Sequence, residues 1–263
     1  QLFQYAFLRI LARHHGLRVE TSKWVGQLLF GHDDPPVSKE LPSFVEGHQV
    51  PYCVYPHPLF NFPVANIDLW GYFQFDTAAY LPHREYFRSL FRPVSSIAEK
   101  LTPALHRIVG QTDGVREHTL VALHIRRGDF QGGLFFPAPT EWYRALLEQV
   151  WATLRNPVLY IASDDLEKVV ADFSDYKPFT AADLGVEIPE APFYPDFYML
   201  TQSNLLAISN SSFSFAAAML NDWEPSCFRP NQHLSKLIPF DPWNASVLLD
   251  RNLGEPLIHP FKL

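Results

Sequence analysis

Three short polar clusters in this chain follow apolar runs, and each carries groups suited to gripping an anion. His124-Ile125-Arg126-Arg127-Gly128-Asp129 comes directly after Thr119-Leu120-Val121-Ala122-Leu123. A guanidinium meets phosphate through two parallel N–H groups and never loses its charge. Two adjacent arginines leaving a strand point in different directions, so one can meet a ligand while the other is held by the protein. Gly128 permits close backbone approach, and Asp129 can fix an arginine by ion pairing. Ser209-Asn210-Ser211-Ser212-Phe213-Ser214 ends a second apolar run and opens a helical pattern. One helix cap needs one hydroxyl or amide residue; here five of six are Ser or Asn, which offers hydroxyls, main-chain N–H groups and a helix N-terminus to an anion. Ser163-Asp164-Asp165 is the third cluster, where a carboxylate at a strand end can accept two hydrogen bonds from the edge of a guanine ring. Ordinary explanations exist for each: a surface Arg-Arg with its own ion pairs, a plain serine cap, a helix-capping acid. Charge set between an apolar strand and a glycine, and the density of hydroxyls, count against the first two.

The elements that must position these clusters are legible from periodicity. Thr119–Ile125 is an almost unbroken apolar run, as expected of a central parallel strand covered on both faces. Residues 157–162 and 204–208 read as two more buried strands. Helical patterns cover 141–154 and 213–220, and Ser163-Asp164 is placed to cap a helix running to about Phe173. Strand, loop and helix repeated three times predicts a doubly wound, Rossmann-like half, in which ligands bind beyond the carboxyl ends of the strands. Earlier in the chain Leu2, Phe3, Ala6, Phe7, Ile10 and Leu11 form one stripe, Arg9 and Arg13 lie off it, and Gly16 fits a helix stop. Leu17-Arg18-Val19 reads as a short strand, 31–63 as proline-punctuated loops, 67–75 as a strand, and 84–91 and 94–109 as helices. The polar stretch 110–118 predicts a boundary between domains at 1–115 and 116–263, with the tail after about 236 crossing back.

Bulk properties narrow the class. The chain has 263 residues, 47% hydrophobic and 19% charged, which is a globular composition. A formal net charge of −7 and no long basic run argue against a general nucleic-acid binder. Cys53 and Cys227 make neither a disulfide framework nor a metal knuckle. The eleven histidines show no HxxxH or HExxH spacing, so no zinc site is expected. No apolar stretch approaches the ~20 residues needed to span a bilayer. Gln1 already stands inside the first helical pattern.

Four segments, in order, resemble glycosyltransferase family 11, the α-1,2-fucosyltransferases, and more distantly the nodulation, core α-1,6 and protein O-fucosyltransferases. Gln1-Leu2-Phe3-Gln4-Tyr5-Ala6 is similar to the end of that family's opening glycine-rich motif, whose glycine loop lies outside this numbering. Gly71-Tyr72-Phe73-Gln74 matches a Gly-Tyr-Phe-Gln segment. His124–Asp129 resembles the His-x-Arg-Arg-Gly-Asp signature, and residues 209–215 resemble an Asn-Ser-Ser-Phe-Ser-Trp turn. Glu141-Trp142-Tyr143-Arg144-Ala145 fits a Tyr-Tyr-x-x-Ala helix. Ala216-Ala217 departs from the bulky aromatic that often follows the turn.

The resemblance implies an α/β GT-B enzyme, two Rossmann-like domains facing a central cleft, that needs no metal or other cofactor. It implies inverting transfer of L-fucose from GDP-fucose to a sugar hydroxyl of a glycan acceptor, α-1,2 by linkage. Arg126 would contact the β-phosphate and help the leaving group depart, with Arg127 and Asp129 shaping that site. His124 and Asp164 would lie near guanosine, and Ser211, Ser212 and Phe213 would border the pyrophosphate. Tyr72 and Gln74 are candidates for the acceptor or sugar side, and Trp70 and Phe73 are further aromatic rings able to stack on a sugar. No general base follows from motif position; Asp129 and Glu141 are the candidates. The expected partners are the nucleotide-sugar donor and the glycan acceptor, not nucleic acid. The expected location is cytoplasmic, peripheral at the inner membrane face in a bacterial cell, or the Golgi lumen in a eukaryotic one. Two rival readings keep the residues: a GT-B transferase using another nucleotide sugar, and a non-catalytic nucleotide- or glycan-binding relative.

Overall fold

The computed structural model describes residues 1–48, 57–112, 115–128 and 136–249. Asp129, most of the loop after it, Cys53 and the tail from residue 250 lie outside the described residues. Contacts group the chain into two compact units, Gln1–Val94 with Trp243–Val247, and Ser95–Pro242 with residues 248 and 249.

The first unit is organised by helix α1 (Leu2–His15), which buries Phe3, Ala6, Phe7, Ile10 and Leu11. Gly16 closes it in the left-handed conformation at φ 66°, returning its N–H to Ala12. Phe7 stacks on Phe73 with centroids 4.2 Å apart and planes 4° from parallel. Strands β1 (Ser43–Val45) and β2 (Asp68–Trp70) form a short parallel pair. The predicted strand over 67–75 therefore ends at Trp70. Phe73 takes a positive φ of 51°, and the N–H groups of Tyr72 and Phe73 both turn onto the buried Glu46 carboxylate. Leu17-Arg18-Val19 is not a strand, because no neighbouring segment pairs with it among the described residues; the first bridge is Thr21 with Pro36. Helix α2 (Arg84–Leu90) completes the unit, with Phe87 set edge-on to Trp243.

The second unit begins with α3 (Ser95–Val109), which runs through Pro103. Its sheet comprises β3 (Thr119–Ile125), β4 (Pro157–Ser163), β5 (Leu205–Ala207), β6 (Ser226–Asn231) and β7 (Lys236–Pro239), in the order β4-β3-β5-β6-β7. All pairs are parallel except β6 with β7. Residues 120–125 of β3 are all buried, as its apolar run requires. Helices α4 (Thr140–Val150), α5 (Leu166–Ala171), α6 (Tyr194–Thr201) and α7 (Ser212–Leu220) connect the strands. The core gathers Val121, Leu123, Ile125, Tyr143, Leu147 and Ile161. Ser163-Asp164 does not cap α5 as the sequence suggested: Asp165 holds the cap position, Ser163 Oγ donates to the Ile125 carbonyl, and Asp164 turns toward the segment after β3. Cys227 is buried, and that burial pushes its thiol up to about 12.

Candidate active site at the carboxyl ends of the strands

Strands β3 and β4 end side by side, Ile125 in register with Ser163. The next residue on β4, Asp164, accepts three donors from the segment that leaves β3. Its Oδ1 takes the Arg127 N–H at 2.7 Å, and its Oδ2 takes the Gly128 N–H at 2.9 Å and lies 3.1 Å from Arg126 Nε. One carboxylate thus folds the Arg126–Gly128 turn and orients the first guanidinium.

The two arginines differ as their divergent directions suggest. Arg127 reaches back into the protein, donating to the Ala138 carbonyl at 2.8 Å and to Thr140 Oγ1 at 2.9 Å at the start of α4. Arg126 keeps 36% of its side chain exposed while its Nε rests on Asp164. Thr140 and the Ala138 carbonyl carry no signal in the sequence, since what binds them is a side chain eleven or more positions away.

His124 faces the other way, into the unit. Only 5% of it is exposed, and its Nδ1 meets Ser214 Oγ and Ser209 Oγ, each at 2.8 Å. Burial, reinforced by the Arg126 charge, lowers its pKa to about 3, so the ring is neutral. Most of the hydroxyl-rich turn is consumed in this way. Ser209 and Ser214 hold His124, and buried Asn210 exchanges two hydrogen bonds with the Leu249 main chain. Ser211 caps α7, accepting the Phe213 N–H. Ser211, Ser212 and Phe213 remain partly exposed at the N-terminus of that helix, where the helix dipole is positive. Phe213 packs between His124 (5.2 Å) and Phe197 (5.2 Å), so the signature and the serine turn form one structure.

The remaining sequence candidates are placed as follows. Glu141 is exposed in the first turn of α4. Tyr72 is 36% exposed and Trp70 60% exposed in the first unit, Trp70 donating to Asp68. Gln74 is half-buried. Phe73 is no stacking candidate: at 1% exposure its ring is core, flat against Phe7. Two acids drawn into internal hydrogen bonds, one buried and one half-buried, carry no signal in the sequence. Glu46 accepts main-chain N–H groups in the first unit, and Asp196 accepts the Tyr160 hydroxyl at 2.7 Å in the second. Neither sits in a motif, and an isolated acid in a mixed segment gives no warning of the partner it will find. Among the described residues no group of three or more His, Cys, Asp or Glu is placed to hold a metal ion. No described helix is long and apolar enough to cross a membrane.

Solved structures share this architecture. The fucosyltransferase NodZ from Bradyrhizobium is 14% identical over 92% of this chain and 94% of its own, with a TM-score of 0.57. NodZ α-1,6-fucosyltransferase co-crystallized with GDP is 14% identical over 91% of this chain and 93% of its own, with a TM-score of 0.55. A NodZ structure soaked with GDP-fucose aligns over 60% of this chain and 53% of that chain, at 17% identity and a TM-score of 0.41. The fold, on the first two, is the mixed α/β, GT-B-like fold of a glycosyltransferase. The family model described as glycosyl transferase family 11 matches residues 62–225, a span that takes in all three polar clusters and Gly71–Gln74. The chain belongs to glycosyl transferase family 11 and is a glycosyltransferase. No curated protein sequence matches it.

Proposed function

We propose that this protein transfers L-fucose from GDP-fucose to a sugar hydroxyl of a glycan acceptor, with inversion, without a metal, and to an α-1,2 linkage. The observation that carries the donor half is the pairing of a held Arg127 with a partly exposed Arg126 at the strand ends, both organised by Asp164. The bond from the sugar's anomeric carbon to the β-phosphate oxygen breaks, and negative charge grows on departing GDP. A fixed guanidinium aimed at that charge stabilises the transition state, on the order of 3 kcal/mol per well-placed donor. Ser211, Ser212 and the N-terminus of α7 supply further donors beside it. The acceptor hydroxyl forms the new bond and gives its proton to a base, for which Asp129 and Glu141 are the candidates. The acceptor and linkage readings rest on the family resemblance. So does the division in which the amino-terminal half, with Tyr72 and Gln74, contributes most acceptor contacts.

Arg126→Ala is the direct test. Transfer is expected to fall at least about a hundredfold with thermal unfolding unchanged; normal turnover overturns the reading. The same groups favour a second possibility, another nucleotide sugar, because arginines and hydroxyls read phosphates and not the sugar. A thermal-shift panel of GDP-fucose, GDP-mannose and UDP-sugars separates the two, since the tighter ligand raises the melting temperature more.

A further inference from the structure

At the same edge of the second unit stands an exposed aromatic ring that no polar cluster explains. Phe193 is 44% exposed and immediately precedes α6. Its ring meets that of Phe213 at 6.2 Å and 76°. Phe213 in turn touches His124 and Phe197, each at 5.2 Å, and its main-chain N–H lies on Ser211 Oγ. An exposed phenylalanine alone means little, since isolated apolar residues are common on surfaces. This one is continuous with the wall that joins the signature segment to the serine turn.

Its backbone is also fixed. Pro189 and Pro192 precede it, Ala191 donates to the Ile188 carbonyl, Tyr194 donates to the Ala191 carbonyl, and the Phe193 carbonyl accepts from Phe197. Ile188 and Ala191 are buried, anchoring the turn from below. The ring is therefore presented by a rigid stem beside an anion-binding helix start, and a ring held in place loses little entropy when a second ring covers it.

We propose that Phe193, backed by Phe213, is the platform on which the donor's nucleobase stacks. This rests on the reading that a nucleoside diphosphate occupies the strand ends, and it adds what Arg126 and the serines cannot supply. They read phosphate; a flat hydrophobic face selects a ligand carrying a base. Stacking is sequence-tolerant because every base has a π-face, so Phe193 discriminates nucleotide from bare phosphate and not guanine from other bases.

Titration calorimetry of the full chain with GDP and with inorganic pyrophosphate tests this. Phe193→Ala is expected to weaken GDP binding about tenfold, the size of one base–aromatic contact, and to leave pyrophosphate binding unchanged, while Phe193→Tyr binds GDP as the parent does. Unchanged GDP affinity in Phe193→Ala overturns the platform and leaves the donor site standing. Equal weakening of GDP and pyrophosphate also overturns it, marking a general distortion of the wall. A parent protein that binds pyrophosphate but no more tightly GDP, or whose GDP affinity does not change in Arg126→Ala, fails the donor reading itself.

Discussion

Gly128 and Asp164 are packed so closely that a side chain between them has no room: a Cβ on Gly128 would lie 2.7 Å from Asp164 Oδ2. That oxygen accepts the Gly128 N–H and rests against Arg126 Nε, so it cannot retreat without giving up both. The glycine of the signature is thus required by the carboxylate that aims the arginine.

Gly128→Ala is expected to lower transfer more than tenfold while the melting temperature moves by less than about 4 °C, the shift that about 1 kcal/mol produces in a chain of this size. Steady-state rates and a thermal melt on the same preparation decide it. Activity equal to the parent's would mean the turn accommodates the methyl group elsewhere.

Asp164→Asn keeps the shape and removes the charge, leaving one end of the amide as an acceptor for only part of the set. A donor facing a lost acceptor costs about 1–3 kcal/mol when shielded from water. The Arg126–Gly128 turn should loosen, and KM for the donor should rise along with a fall in kcat. A kcat fall with unchanged KM would show that the turn survives without the carboxylate.

Glu46 is 1% exposed and shares one oxygen between the Tyr72 and Phe73 N–H groups, directly behind Gly71–Gln74. Glu46→Ala should destabilise the protein by about 2 kcal/mol or more, and Glu46→Gln, which retains an acceptor oxygen, by less. Gly71→Ala should behave like the alanine variant, because its Cβ would meet Glu46 Cβ at 2.6 Å. Denaturant midpoints rank the three.

Acid sensitivity follows from two buried histidines. Burial lowers His124 to about 3 and His57 to about 4, both below the ordinary value of 6.5. The unfolded chain therefore binds more protons in this range, so the stability these rings contribute is complete above pH 6.5 and lost as pH falls toward 4 and 3. Unfolding free energy should drop between pH 7 and 4.5, and His124→Gln should flatten that slope. A slope identical in the variant would exclude His124 as its source.

Tyr160→Phe should act with the opposite sign. Burial raises Asp196, while the hydrogen bond from Tyr160 holds it down. Removing that donor raises Asp196 further, and a raised carboxylate loses stability as pH climbs through its folded pKa. The variant's deficit should be larger at pH 8 than at pH 5; a pH-independent deficit would assign the loss to packing alone.

Much of the second unit was readable in the residues alone. Strand Thr119–Ile125 matches its apolar run residue for residue, and 157–162 and 204–208 fall on β4 and β5, because burial on both faces demands unbroken apolar sequence. The short strands of the first unit were not, since 17–19 and 67–75 have strand-like residues but strands exist only where a neighbour pairs with them. Polar chemistry divides the same way. Residue types alone marked Arg126, Arg127 and the serine turn as candidates to meet an anion, and the expectation that one arginine is held by the protein matches Arg127. Which acceptors hold Arg127, that Asp164 braces the turn instead of capping α5, that Ser209 and Ser214 serve a buried His124, and that Phe73 is core were decided by tertiary structure. The physical reason is that a hydrogen-bonding group advertises its capacity in sequence, whereas its partner is whichever group the packed sheet brings within about 3 Å.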